Sequence, residues 1–133
     1  MPTAAPDGPI ATPVKVLLVD DEPIIRRAIR RLLALDFAGL DLTEAETVAG
    51  ALAAVEARSF DVVLLDIGLP DGSGIDAIGP ILARRPGVAI LVVSSQPESQ
   101  YADVCRDAGA ADFVRKDQVP ENLAAAIRRA LGL

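Results

Sequence analysis

Three short runs of apolar residues, each followed at once by side chains that carry oxygen, constrain the fold of this chain most. They are Val14–Val19, Asp61–Leu65 and Ala89–Val93. Because their apolar residues are continuous rather than alternating, these runs are typical of strands buried on both faces of a parallel sheet. Two weaker strands are predicted at Leu40–Glu44 and Asp112–Val114.

Between these runs, apolar residues recur at helical spacing, which predicts five amphipathic helices. Their apolar faces comprise Ile25, Ile29, Leu32 and Leu33; Val48, Ala51, Leu52 and Val55; Ile75, Ile78 and Leu82; Tyr101, Val104, Cys105 and Ala108; and Leu123, Ala126, Ile127, Ala130 and Leu131. A strand followed by a helix, five times over, predicts a doubly wound α/β domain. Pro80 falls inside the third helical pattern, where we expect a kink or a late helix start.

The length of 133 residues fits one domain, which we place at residues 14–133. Residues 1–13 contain four prolines among small residues and are predicted to form a disordered N-terminal tail. Just over half of the residues are hydrophobic, which is enough for a substantial core at this size.

Composition excludes several classes of function. The net charge of −6 argues against direct binding of nucleic acid, which needs clustered Lys and Arg. The absence of histidine excludes Ser-His-Asp and Cys-His catalysis and an internal phosphohistidine. Cys105 is the only cysteine, so no disulfide forms within one chain and a reducing, cytoplasmic setting is predicted. No signal peptide and no apolar run of about 18 residues, as a membrane span requires, are present.

The carboxyl ends of the predicted strands are the expected place for chemistry, because ligands of open parallel sheets bind there. Asp20-Asp21, Asp66 and Ser94-Ser95 follow the three strong strands. Each has a simpler explanation when taken alone: a helix cap, a turn, and a hydroxyl bonded to its own backbone. Together, the three carboxylates would repel one another unless a cation joined them, and Mg²⁺ prefers such oxygen ligands. A carboxylate can attack a phosphoryl donor, and Lys116, after the last strand, can supply an ammonium to the phosphoryl oxygens.

Four stretches of this sequence, in this order, resemble the receiver domain of bacterial response regulators. They read Val-Lys-Val-Leu-Leu-Val-Asp-Asp-Glu-Pro at 14–23, Asp-Val-Val-Leu-Leu-Asp-Ile-Gly-Leu-Pro-Asp-Gly-Ser-Gly at 61–74, Ile-Leu-Val-Val-Ser-Ser at 90–95 and Ala-Gly-Ala-Ala-Asp-Phe-Val-Arg-Lys-Asp at 108–117. The resemblance covers roughly residues 14–131. It implies a flavodoxin-like, five-stranded sheet of order 2-1-3-4-5 with five helices.

The resemblance also implies roles for individual residues. Asp66 matches the phosphoacceptor of the family, and Asp20 and Asp21 match the acidic pair that holds Mg²⁺ directly or through water. Gly68 matches the residue whose backbone carbonyl binds the metal together with Asp66.

Three further positions match the residues that respond to the phosphoryl group. Ser94 matches the hydroxyl residue that hydrogen-bonds it, and Lys116 matches the lysine that pairs with it. Phe113 matches an aromatic switch residue whose side chain follows the movement of Ser94. The surface that changes would comprise the fourth helix, the fifth strand and the fifth helix.

The function implied is that of a phosphorylation-controlled signalling module, not an enzyme of multiple turnovers. The upstream partner would be a histidine kinase or a histidine phosphotransfer protein, and the downstream effector is not identified. A second copy of the chain is a further candidate partner, whereas a membrane is not. Two alternatives remain open: a degenerate receiver that binds partners without phosphorylation, and a Mg²⁺-dependent phosphohydrolase that uses Asp66 as nucleophile.

Three positions depart from the common pattern of the family. Asp117 replaces the proline that often follows the lysine, which resembles receivers joined to helix-turn-helix output domains. Gly68 presents no side chain where many receivers tune the lifetime of the phosphorylated state. Pro80 disturbs the third helix. None of the three removes a reactive group.

Overall fold

In the computed structural model, which describes residues 13–133, strands and helices alternate along the chain. The strands of the main sheet are β1 (Lys15–Val19), β2 (Asp41–Ala45), β3 (Val62–Leu65), β4 (Ala89–Ser94) and β5 (Asp112–Arg115). The helices are α1 (Pro23–Asp36), α2 (Val48–Ala57), α3 (Gly74–Arg84), α4 (Glu98–Ala108) and α5 (Val119–Leu131). The predicted N-terminal tail lies outside the described residues, apart from Pro13.

The five strands form one parallel sheet in the order β2-β1-β3-β4-β5. This confirms the doubly wound α/β fold and the order 2-1-3-4-5. A short antiparallel hairpin, Gly68–Leu69 with Gly72–Ser73, lies between β3 and α3. Among the described residues, no helix has the length and apolar character needed to cross a membrane.

Helices cover both faces of the sheet, which explains why the central strands read as continuous apolar runs. One face packs against α2, α3 and α4 and presents Leu17, Val19, Val63, Leu65, Ile90 and Val92. The opposite face packs against α1 and α5 and presents Val16, Leu18, Val62, Leu64, Leu91 and Val93. Successive residues of the central strands therefore enter different cores.

The two strands with weak sequence signals, β2 and β5, are the edge strands of the sheet. In β2 only Ala45 is fully buried, so its sequence is more polar than that of the central strands. Both edge strands end one residue later than predicted.

The helix ends follow local sequence signals. Pro23 is the first residue of α1, where its fixed φ and missing N–H cost nothing. Gly109 ends α4 with a φ of 119°, a conformation that side chains disfavour.

Cys105 is buried on α4, as predicted for a small apolar helix residue, and burial raises the pKa of its thiol.

Of the two expectations at Pro80, the late helix start is wrong, because α3 is continuous from Gly74 and contains Pro80, whereas the kink stays a prediction. The hydroxyl of Ser73 accepts a hydrogen bond from the Ile75 N–H at 3.1 Å and caps the helix before Pro80 is reached. Pro80 lies on the exposed face, where water can satisfy the carbonyl that its missing N–H leaves free. The preceding residue is Gly79, and its lack of a Cβ relieves the clash that proline imposes on a helical neighbour.

The loop between β3 and α3 is tied to α2 by a carboxylate. Asp71 accepts hydrogen bonds from the backbone N–H groups of Val48 at 2.7 Å and Ala49 at 3.0 Å. These bonds hold the pKa of the Asp71 carboxyl below its usual value. With Thr47, which accepts from Gly50, Asp71 satisfies the free donors of the helix N-terminus.

The same loop is also packed against the start of α3 so closely that only glycine fits. The Gly74 N–H donates a hydrogen bond to the Ile67 carbonyl at 2.7 Å. A Cβ on Gly74 would lie 1.9 Å from the backbone oxygen of Asp66. The backbone that carries Asp66 is therefore fixed by direct contact with α3.

We predict that Asp71→Asn lowers the free energy of unfolding at pH 7, and that Asp107→Asn, an exposed carboxylate of α4, does not. The pKa of Asp71 is lower in the folded state than in the unfolded state, where it is about 3.9. The charged carboxylate therefore adds to the free energy of unfolding above that pH, and this stabilisation is lost as the pH falls below it. Urea denaturation at several pH values should show the deficit of Asp71→Asn shrinking below about pH 4. A deficit that does not depend on pH would contradict this account.

We predict that Gly74→Ala destabilises the protein by about 1–3 kcal/mol or more, because the added methyl group meets backbone rather than a movable side chain. Gly87→Ala is the matched control, since a Cβ there has no neighbour within 4 Å. Urea denaturation of both variants measures the difference. Equal free energies of unfolding for the two variants would contradict the prediction, because they would show that the backbone of Asp66 and Ile67 moves to accommodate the methyl group.

Candidate functional site

Three of the predicted site residues meet at the carboxyl end of the sheet. Asp20 follows β1, Asp66 follows β3 and Lys116 follows β5. The Lys116 Nζ lies 3.0 Å from Asp20 Oδ2 and 3.1 Å from Asp66 Oδ2. The ammonium thus bridges residues that are 46 or more positions apart in sequence, because the parallel strands end at one edge.

A cluster of four carboxylates surrounds this point. Asp20, Asp21, Glu22 and Asp66 each offer an oxygen, and these oxygens all lie within 4.8 Å of one another. Asp20 and Asp66 are buried, whereas Asp21 and Glu22 are exposed. Sequence reasoning anticipated three members of the cluster and missed Glu22. The signal that was available is its position next to the acidic pair.

Backbone and side-chain hydrogen bonds orient Asp20. Its Oδ1 accepts from the Glu22 N–H at 2.8 Å, and its own N–H donates to the Ala45 carbonyl at 3.0 Å. Arg26 donates to the Asp20 carbonyl at 2.7 Å, and also pairs with Glu44 at 2.8 Å. The interpretation of Asp20 as only a helix cap is insufficient, because its second oxygen faces Lys116.

The charges of Asp66 and Lys116 depend on each other. Burial raises the pKa of Asp66, the neighbouring Asp20 adds to the rise, and Lys116 opposes it. Burial alone would lower the pKa of Lys116, but its hydrogen bonds to Glu22, Asp20 and Asp66 raise it well above the ordinary value. Lys116 therefore remains a cation over the whole physiological range.

Ser94 and Phe113 lie near this edge in the sheet but make different contacts. Ser94 is buried at the end of β4, and its hydroxyl accepts from the Gln96 N–H at 3.0 Å, as the simpler explanation predicted. Phe113, on β5, packs in the apolar cluster that includes Ala102 and Cys105 of α4. The side-chain hydrogen bonds of residues 13–133 connect Lys116, but not Ser94, to the carboxylates.

Gly68 and Asp117 complete the predicted neighbourhood. Gly68 is exposed in the hairpin after β3, and open space surrounds the position of a Cβ. Asp117 lies in a short 3-10 turn, Lys116–Gln118, and pairs with Arg115 at 2.5 Å. The turn leads directly into α5, and with Asp117 in place of a proline the Lys116 side chain contacts the carboxylates.

The arrangement is suited to binding a hard cation. Three of the four carboxylates, those of Asp20, Glu22 and Asp66, contact the one ammonium of Lys116, so the mutual repulsion within the cluster is only partly offset by the protein. Closely spaced carboxylate oxygens are the ligands that Mg²⁺ takes in proteins, often with waters completing the coordination. Asp21, at the exposed side, leaves the cluster open to solvent.

Comparison with known proteins places this geometry in a family. The family model described as "Response regulator receiver domain" matches residues 16–128. The chain is 40% identical over 124 residues to the nitrate/nitrite response regulator protein NarP of Escherichia coli, covering 90% of this chain and 56% of NarP. It is 42% identical over 118 residues to the transcriptional regulatory protein KdpE of Mycobacterium tuberculosis, covering 86% and 51%. The chain thus spans about half the length of the curated relatives it matches.

Solved structures agree with the sequence comparison. A CheY-like receiver domain protein from Methanospirillum hungatei superposes with a TM-score of 0.83 at 26% identity, covering 91% of this chain and 95% of that one. A LuxR-family two-component response regulator from Aurantimonas gives a TM-score of 0.84 at 30% identity, covering 91% and 86%. With its 2-1-3-4-5 parallel sheet and its carboxylates and lysine at the strand ends, this chain belongs to the family of response regulator receiver domains of two-component systems.

Proposed function

We propose that this protein is a signalling module controlled by phosphorylation of Asp66. The observation that carries the proposal is the position of the buried Asp66 carboxylate beside Asp20, with the ammonium of Lys116 on both. A nucleophile, a set of metal ligands and a fixed cation are the parts that phosphoryl transfer to a carboxylate requires. The phosphoryl donor would be a histidine kinase or a histidine phosphotransfer protein, since this chain has no histidine of its own.

The cofactor we propose is Mg²⁺, held by Asp20, Asp21 and Asp66 and by the backbone carbonyl of Gly68. The close spacing of the carboxylate oxygens supports this assignment. Bound there, Mg²⁺ would supply positive charge against the oxygens of the incoming phosphoryl group.

The transfer itself needs little from the protein beyond positioning and charge. An Asp66 carboxylate oxygen forms a bond to phosphorus while the phosphorus–nitrogen bond of the donor phosphohistidine breaks. The imidazole leaves with the electron pair and takes up a proton. Lys116 then donates a hydrogen bond to one phosphoryl oxygen, and the Ser94 hydroxyl donates a hydrogen bond to another.

The switch would follow from the charge added at the strand ends. A phosphoryl group brings about −1.5 to −2 charges and three acceptor oxygens. Movement of Ser94 toward these oxygens would replace the hydrogen bond that its hydroxyl accepts from the Gln96 N–H with one to the phosphoryl group. This movement would alter the end of β4. Phe113 lies on the neighbouring strand and packs against α4, so a change at Ser94 would pass to the surface formed by α4, β5 and α5.

The effector would be reached through protein contacts. The domain is acidic overall, which disfavours direct contact with nucleic acid phosphates. KdpE is named as a transcriptional regulatory protein, and the match to this chain covers only 51% of its length. We therefore propose that the switched surface acts on a separate domain or protein.

We predict that acetyl phosphate with Mg²⁺ adds one phosphoryl mass to the wild-type protein, measured by intact-mass spectrometry. Asp66→Asn should show no gain, because the nucleophile is lost, whereas Asp107→Asn should behave as wild type. Omission of Mg²⁺ should abolish most of the gain. Folded wild-type protein that never gains the mass would favour a binding module independent of phosphorylation. Release of many phosphates per chain from small esters would favour the phosphohydrolase.

We also predict that phosphorylation shifts the amide NMR signals of residues 94–130, since the proposed switch surface lies there. Spectra of the wild type before and after addition of acetyl phosphate and Mg²⁺ make the comparison, with Asp66→Asn as the control for Mg²⁺ binding alone. Identical signals over this range in fully phosphorylated protein would contradict the switch.

A further inference from the structure

Lys116 has a third carboxylate partner that the proposed transfer does not use. Its Nζ lies 2.6 Å from Glu22 Oε1, compared with 3.0 Å from Asp20 and 3.1 Å from Asp66. Glu22 is also the one exposed partner, with 57% of its side chain accessible, against 2% for Asp20 and 8% for Asp66. The shortest contact of the lysine is therefore made by the residue that loses least by moving into water.

The number of donors on an ammonium makes these contacts competitive. Lys116 has three N–H donors, and its three carboxylate partners can use all of them. A phosphoryl group on Asp66 would place further anionic oxygens within reach of the same ammonium. At least one existing contact has to be released before Lys116 can donate to them.

Glu22 is the contact that we expect to be released. Asp20 and Asp66 are buried and are the residues proposed to bind the metal ion, so their carboxylates stay in place. The Glu22 carboxylate can be solvated instead, at low cost, as is usual for an exposed ion pair. Its backbone is held by the hydrogen bond from its N–H to Asp20 Oδ1 at 2.8 Å, so the side chain stays within reach of the lysine.

We infer that Glu22 is a positioning residue that competes with the phosphoryl group for Lys116 and so restrains phosphorylation of Asp66. This inference rests on the proposed function and adds a regulatory element to the same site. In the unphosphorylated state Glu22 stabilises the ammonium on the carboxylate cluster. Removal of its charge leaves Lys116 free to turn toward the incoming group.

The contact itself can be tested without phosphorylation. Lys15 and Lys116 are the only lysines of the chain, so side-chain NMR of lysine gives two signals. Glu22→Gln should shift the Lys116 signal and leave that of Lys15 unchanged. The control is Glu121→Gln, which removes an exposed charge from the first turn of α5. An unshifted Lys116 signal in folded Glu22→Gln would overturn the inference.

The kinetic test measures the rate of phosphorylation by acetyl phosphate in saturating Mg²⁺. Glu22→Gln should react roughly two- to fivefold faster than wild type, as expected for the release of one exposed ion pair. Glu121→Gln should match wild type. In a Lys116→Met background, the effect of Glu22→Gln should disappear, because there is no ammonium left to compete for.

Several results would overturn the inference. A rate that falls or stays unchanged in Glu22→Gln would show that Glu22 does not restrain Lys116. A gain that persists with Lys116→Met would show simple repulsion between Glu22 and the anionic donor. A large loss of Mg²⁺ affinity in Glu22→Gln, measured by calorimetry, would make Glu22 a metal ligand instead. Wild-type protein that takes no phosphoryl group would contradict the proposed function and the inference together. An unchanged rate in Glu22→Gln, with wild-type protein that is phosphorylated, would contradict the inference alone.

Discussion

The site depends on the balance between one ammonium and the carboxylates gathered at the carboxyl end of the sheet. Asp20 and Asp66 are buried as neighbours, and their repulsion is relieved by Lys116, which bridges them at 3.0 Å and 3.1 Å. Lys116 can bridge the two carboxylates only because β1, β3 and β5 end at the same edge of the sheet. The fold in turn can bury both carboxylates there only because the ammonium offsets their repulsion. Any ion or group that binds at this edge therefore interacts with the charges of Asp20, Asp66 and Lys116 together.

Close backbone contacts hold Asp66 at this place. Asp66 donates its N–H to the Val19 carbonyl at 3.0 Å, and its backbone oxygen lies against Gly74 of α3. Asp71 then connects the hairpin that follows to the start of α2. Contacts with β1, α3 and α2 therefore hold the loop after β3, as the proposed role of Asp66 requires.

Two carboxylates of the site lie on its exposed side. Asp21 and Glu22 face solvent, and Lys116 shares its donors between buried and exposed carboxylates. Asp20 and Asp66 are the buried partners of Lys116, whereas Glu22 is exposed and can exchange its contact with the lysine for water. The charge beside Lys116 can therefore change while the sheet stays intact. Ser94 and Phe113 lie on the paired strands β4 and β5, which is the position that the proposed switch requires.

Much of this protein could be predicted from its sequence, because the signals were local or periodic. Continuous apolar runs identified β1, β3 and β4, since burial on both faces excludes polar residues, and the polar residues after them marked the edge of the sheet. The weak signal of β2 reflects its edge position. A late start of α3 was one of two expectations, because the sequence does not reveal that Pro80 lies on the exposed face of a helix that Ser73 caps. The proximity of Asp20, Asp21, Asp66 and Lys116 could be predicted because parallel strands bring their carboxyl ends together. Only the tertiary structure decided that Glu22 contacts Lys116, that Asp71 caps α2 and that Gly74 touches Asp66, because such contacts between distant residues depend on packing distances that no local pattern encodes.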